Sequence, residues 1–163
     1  MRILEIGTGT GEATLALAAA LPPDGLLISI EPDTTRAAAA RRRFTAAGFG
    51  DRISVIIGEP IRFLHKISGP FDVIVQHDAD ERIRERLEAL LRPGGMLIAG
   101  HKKYSEKNMT IAEWLAQAKA DAEKRGLPEL IPMLEGLAQA TERLRAADWN
   151  DNPDQETPRD NDQ

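Results

Sequence analysis

Short apolar runs and longer mixed segments alternate along the chain as far as Ala99. Ile3-Leu4-Glu5-Ile6 reads as a strand, and Ala13 to Leu21 reads as a helix stopped by Pro22-Pro23-Asp24-Gly25. Leu26 to Ile30 is a second apolar run, ending in Glu31-Pro32-Asp33, and a helix from about Thr34 to Ala47 follows, with Gly48 as its C-terminal stop. Ile53 to Ile57 is the third strand, and Gly58-Glu59-Pro60 opens a short helical stretch through Lys66. Ser68-Gly69-Pro70 turns the chain into the fourth strand, Phe71 to Val75. Glu81 to Leu91 then carries Ile83, Leu87, Leu90 and Leu91 at helical spacing. Arg92-Pro93-Gly94-Gly95 closes that helix, and Met96 to Ala99 is the fifth strand.

Continuous apolar strands joined by helices through short connections predict an α/β fold, a doubly wound parallel sheet in the order 3-2-1-4-5. Such sheets bind ligands at the carboxyl ends of their strands, where Glu31, Gly58, Asp78 and Gly100 fall. Beyond Tyr104 the character changes. Thr110-Ile111-Ala112-Glu113 is a capping-box pattern opening a helix that ends at Gly126. A second helix occupies much of Pro128 to Ala147, with Pro132 marking its first turn. Its Leu130, Leu134, Leu137 and Leu144, with Thr141 between, form a seam suited to packing on another helix, in this domain or in a partner subunit. The division expected is therefore 1–104 as the ligand-binding domain, 105–147 as a helical extension and 148–163 as a polar, disordered tail.

Between the first strand and first helix lie Gly7, Gly9 and Gly11, every second residue. Glycine admits positive φ and brings bare backbone up to a ligand, while the helix start aims free N–H groups above the loop. This is a cofactor cradle. The dinucleotide fingerprint G-x-G-x-x-G fails at Glu12, which stands where its third glycine would be and sets back a nicotinamide reading.

Composition narrows the field further. The 163 residues suffice for one domain with a real core, and 42% hydrophobic with 29% charged residues is a globular profile. With no cysteine there is no disulfide or zinc–thiolate site, and a cytoplasmic location is expected. No stretch is apolar enough for a membrane span, and the start does not read as a signal peptide. A net charge of −5 argues against nucleic acid, and the run Arg41-Arg42-Arg43 reads as a solvated helix face with Phe44 turned inward.

Four features fall in one order: Glu5-Ile6-Gly7-Thr8-Gly9-Thr10-Gly11, Ile30-Glu31-Pro32, Gly69-Pro70-Phe71-Asp72-Val73-Ile74 and Leu91-Arg92-Pro93-Gly94-Gly95. Together they resemble the class I methyltransferases that use S-adenosyl-L-methionine. Asp78-Ala79-Asp80 and Ala47-Gly48-Phe49-Gly50-Asp51-Arg52-Ile53 resemble, within that class, the catechol and caffeoyl-CoA type O-methyltransferases. The resemblance covers about residues 1–101.

The resemblance implies S-adenosyl-L-methionine as cofactor and a small-molecule acceptor methylated on oxygen. Glu31 would accept the ribose hydroxyls, with Pro32 beside it, and Glu5 would help position the amino-acid end near Gly7, Thr8, Gly9 and Gly11. Glu59, beside Gly58, would accept from the adenine amino group or else cap the short helix. Asp78 faces cofactor or acceptor and, with His101, is the catalytic candidate.

The sequence also departs from the pattern. In the metal-dependent members an aspartate after strand four and an Asp-Asn pair after strand five hold the ion. Asp78 matches the first, but Gly100 and His101 stand at the others, and Glu81 takes the place of the catalytic lysine. No metal site is assigned. His77 and His101 are read either as a base or Asp–His site or as surface histidines. The helices that precede strand one in relatives and their closing hairpin are not seen, so either the start is truncated or the lid comes from elsewhere. A catalytically degenerate cofactor-binding or protein-interaction module is the alternative reading. The fifth strand's edge is expected to be covered by the later helices or by a second copy of the chain.

Overall fold

The computed structural model describes residues 1–77, 80–99 and 110–150, with side chains only through 143 in the last helix. Its sheet has five strands in the order β3-β2-β1-β4-β5, all paired in parallel. In chain order the elements are β1 (Arg2–Ile6), α1 (Glu12–Ala20), β2 (Leu26–Glu31), α2 (Thr34–Ala46) and β3 (Ile53–Ile57). There follow α3 (Pro60–Phe63), which runs on as a 3-10 turn, then β4 (Phe71–Gln76), α4 (Arg84–Ala89) and β5 (Leu91–Ala99). The chain closes with α5 (Ile111–Lys124) and α6 (Ile131–Asn150).

Alternation along the strands splits the core in two. Ile3, Leu27, Val55, Val73, Val75 and Met96 point to one face, against Leu17 and Ala18 of α1 and Ala37, Ala40 and Phe44 of α2. Leu4, Ile6, Ile30 and Ile74 point to the other, against Leu64, Ile83 and Leu87. Both faces of a parallel sheet are thus buried, which is why its strands read as unbroken apolar runs.

The helix ends follow their local chemistry. Asp33 caps α2 by accepting from the Arg36 N–H at 2.8 Å. Thr110 and Glu113 form the reciprocal box, the Glu113 carboxylate accepting the Thr110 N–H at 2.7 Å and Thr110 Oγ1 the Glu113 N–H at 3.1 Å. Pro132 is the second residue of α6, behind a 3-10 turn over Pro128–Leu130.

Two boundaries differ from the expectation. β5 begins at Leu91 because Leu91 pairs with Phe71, and a register shift between Phe71 and Val73 absorbs the intervening residues. The helix ahead of it is accordingly shorter, a 3-10 turn over Glu81–Ile83 running into α4. Gly95 sits in this irregular stretch, where an added Cβ would come 3.0 Å from the Asp72 carbonyl oxygen.

α5 and α6 close over the face that carries α1. Leu130, Met133, Leu134 and Leu137 are buried in the same cluster as Leu17, Val75 and Met96, and Gly136 lies against Ala16. Lys119 of α5 donates to Glu135 of α6 at 2.7 Å, and Arg125 donates to the Gly95 carbonyl at 3.2 Å. The leucine seam therefore meets this domain, with Met133 and Ala140 joining it. Leu144 lies outside the described side chains.

Candidate functional site

The ladders run on past the ends of the strands and set four residues side by side. Gly58 N–H donates to the Glu31 carbonyl at 3.0 Å, Gly7 N–H to Ile30 at 2.9 Å and His77 N–H to Ile6 at 3.1 Å. The carboxyl ends of β3, β2, β1 and β4 thus present Gly58, Glu31, Gly7 and His77 along one edge, where the strand order reverses on either side of β1.

The glycine turn has a distinct task at each position. Gly7, Gly9 and Gly11 take φ of 94°, 53° and 80°, in the region that favours glycine. A Cβ at Gly11 would come 2.7 Å from Cε1 of Phe44, so this glycine lets α2 pack against the start of α1. A Cβ at Gly9 would meet nothing within 4 Å. Gly9 is the open point of the loop.

Glu31 is 2% exposed. Its Oε2 accepts the Gly9 N–H at 2.8 Å and its Oε1 accepts the Asp33 N–H at 3.0 Å, with Arg36 Nε at 3.5 Å. Pro32 and Glu59 are exposed beside it. Glu59 stands at the N-cap position of α3 without a side-chain capping bond, so the capping alternative is not realised.

Glu5 is fully buried. Its Oε2 accepts from Thr14 Oγ1 and Ser29 Oγ, each at 2.7 Å, and its Oε1 lies 3.0 Å from His77 Nε2. Ser29 Oγ is in turn 2.6 Å from Thr8 Oγ1. Among the described residues, Glu5 is linked toward the strand ends through Thr8 and His77. Thr14 and Ser29 are members of this buried network that the sequence reading passed over. Their signal was a hydroxyl inside an alanine-rich helix and another inside an apolar strand.

At the end of β4, Asp80 is held below the usual carboxylate range by hydrogen bonds from the Arg82 side chain and N–H. Glu81 is exposed, 3.8 Å from Arg84. Asp78, Gly100 and His101 lie outside the described residues. Of the basic run, Arg41, Arg42 and Arg43 are exposed while Phe44 is buried. An open groove of about 720 Å³ between α1, α2 and α6, floored by Leu15, Ala16, Ala20 and Phe49, contains none of the strand-end residues.

A family model described as O-methyltransferase matches residues 1–139. The chain is 37% identical over 106 residues to a catechol O-methyltransferase of Niastella koreensis, covering 60% of this chain and 47% of that protein. It is 28% identical over 152 residues to the human transmembrane O-methyltransferase, covering 85% of this chain and 52% of the relative. Among solved structures, the O-methyltransferase TomG of Streptomyces achromogenes in complex with SAM superposes with a TM-score of 0.54 at 27% identity, over 89% of this chain and 61% of that one. The chain thus spans about half the length of the curated relatives it matches. Among the described residues no helix is long and apolar enough to cross a membrane.

Proposed function

The chain belongs to the O-methyltransferase family, and on that premise we propose that it binds S-adenosyl-L-methionine at the carboxyl ends of β1, β2 and β3 and methylates an oxygen of a small molecule. The single observation that carries the reading is the arrangement of Glu31 and Gly9. A carboxylate at the end of β2 grips the open point of a glycine turn. Each Glu31 oxygen accepts one backbone N–H and keeps a further lone pair, so the pair can still take the two hydroxyls of a ribose. Bonds of this kind contribute about 1.5–3 kcal/mol each. Because Glu31 is almost fully covered, its surroundings have to open to admit the sugar.

In this reading Gly7, Thr8 and Gly11 carry the loop along the amino-acid end, and Pro32, Gly58 and Glu59 flank the adenine. The bound cofactor supplies an electrophilic methyl group on sulfur. The chain supplies position, by holding donor and acceptor in line and excluding water. Relatives solved with SAM or SAH bound support the choice of cofactor.

Glu81 favours the second reading, a binding module without acceptor chemistry, because it is an exposed acid paired with Arg84 where the related enzymes hold a lysine. Calorimetric titration with S-adenosylhomocysteine and with NADH tests the cofactor, and transfer of a labelled methyl group to a panel of phenols tests the chemistry. Binding with transfer supports the first reading and binding without transfer the second. NADH binding with no S-adenosylhomocysteine binding removes both.

A further inference from the structure

Gly9-Thr10-Gly11 has little shape of its own, because a glycine on each side leaves the peptide planes around Thr10 free to rotate. The turn is held from outside, by three residues of β2 and α2. Glu31 at the end of β2 accepts the Gly9 N–H at 2.8 Å. Phe44 of α2 fills the space beside Gly11, where a Cβ would come 2.7 Å from the ring. Between these two points lies the Thr10 carbonyl. The ladder of α1 opens one residue later, with the Leu15 N–H donating to the Gly11 carbonyl at 3.0 Å. The Thr10 carbonyl is met instead by Arg43 of α2, whose Nη1 donates to it at 2.9 Å.

We propose that Arg43 is a positioning residue of the glycine turn, fixing the plane of the Thr10–Gly11 peptide. A trans peptide carries its C=O and N–H on opposite edges, so a bond to one edge sets the other. Arg43 holds the carbonyl edge, and the N–H edge donates to the Thr8 carbonyl at 2.9 Å. Glu31 and Arg43 thus take successive backbone poles of the turn. Neither can take the other's part, since a carboxylate only accepts and a guanidinium only donates. Of the exposed run Arg41-Arg42-Arg43, the last therefore serves the cradle and is more than a solvated face. Its bearing on the cofactor rests on the function proposed above. A turn already held in place has less freedom to lose when S-adenosyl-L-methionine binds.

Solvent-exchange rates of the backbone amides, read from proton–nitrogen spectra of the full chain without cofactor, test the proposal. Arg43→Met removes the guanidinium and keeps much of the side-chain length. The Gly11 amide is expected to exchange about 2- to 10-fold faster, the equivalent of one net hydrogen bond, with the urea midpoint unchanged. Arg42→Met, one position along the same helix, is expected to leave Gly11 at its wild-type rate. An unchanged Gly11 rate in Arg43→Met overturns the proposal, as does an equal acceleration in Arg42→Met. Core amides that accelerate as much as Gly11 also overturn it, because they mark a general loss of stability. Calorimetric titration with S-adenosylhomocysteine is the second arm, in which Arg43→Met is expected to bind about 2- to 10-fold more weakly than the wild type. Equal affinity overturns the role in cofactor binding. A wild-type chain that binds no S-adenosylhomocysteine removes the proposed function, while the exchange rates still decide what Arg43 does, so the two failures are distinguishable.

Discussion

The Glu31 carboxylate accepts the Gly9 amide at 2.8 Å, so the end of β2 holds the turn that follows β1. Strand and loop are 22 residues apart in sequence and one hydrogen bond apart in space. The same bond restrains the loop, and in the proposed function it lies where a diol would be received. Glu31→Ala is expected to lower affinity for S-adenosylhomocysteine by about 10- to 100-fold, the equivalent of one hydrogen bond to a charged group. Calorimetry on both proteins checks this, and an unchanged affinity would remove Glu31 from the site.

Gly9 and Gly11 separate conformational strain from packing. Gly11→Ala meets both a φ of 80° and the Phe44 ring, and is expected to destabilise the fold by about 2–4 kcal/mol. Gly9→Ala meets only the strained φ and should cost about 1–2 kcal/mol. Urea unfolding ranks the two, and combining Gly11→Ala with Phe44→Leu should recover part of the loss.

Asp72 ties three strands together. It accepts the Arg2 N–H at 2.7 Å and Arg92 Nε at 2.6 Å. Burial works against its charge, but those bonds and the Arg92 charge outweigh it and hold its carboxyl below the ordinary value. A depressed folded-state pKa contributes stability that is fully present above the unfolded-state pKa and disappears as pH falls through the folded-state one. Unfolding followed below about pH 4 should therefore show a loss of stability that is smaller in Asp72→Asn than in the wild type. Parallel curves for the two proteins would contradict this.

Leu134 of α6 is fully buried in the cluster that includes Leu17 and Val75. Leu134→Ala should destabilise the whole domain in one transition by about 2–5 kcal/mol. Loss of α6 alone, with the sheet unfolding at its original midpoint, would show that the helix is an independent appendage.

Much of this architecture is legible in the sequence. Strands buried on both faces leave unbroken apolar runs, and Pro22-Pro23, Gly48 and Pro132 punctuate helices in ways only a few backbone conformations allow. The start of β5 was hidden because Arg92-Pro93-Gly94-Gly95 carries turn residues while lying in an irregular parallel pairing. The leucine seam of α6 announced a helical partner but not which one; contact with α1 is a tertiary fact with no local trace. At the candidate site, the placing of Glu31 and the glycine turn at neighbouring strand ends was legible from spacing. The burial of Glu5 was not, because its partners Thr14, Ser29 and His77 come from three separate elements.

The most direct test of the central claim is a nitrogen–proton correlation spectrum of the labelled chain titrated with S-adenosylhomocysteine. The amides of Gly7, Gly9, Glu31, Gly58 and His77 are expected to shift together, with Gly9 moving most as its bond to Glu31 is rearranged. Shifts centred instead on the groove between α1, α2 and α6, with the strand-end amides unmoved, would contradict it.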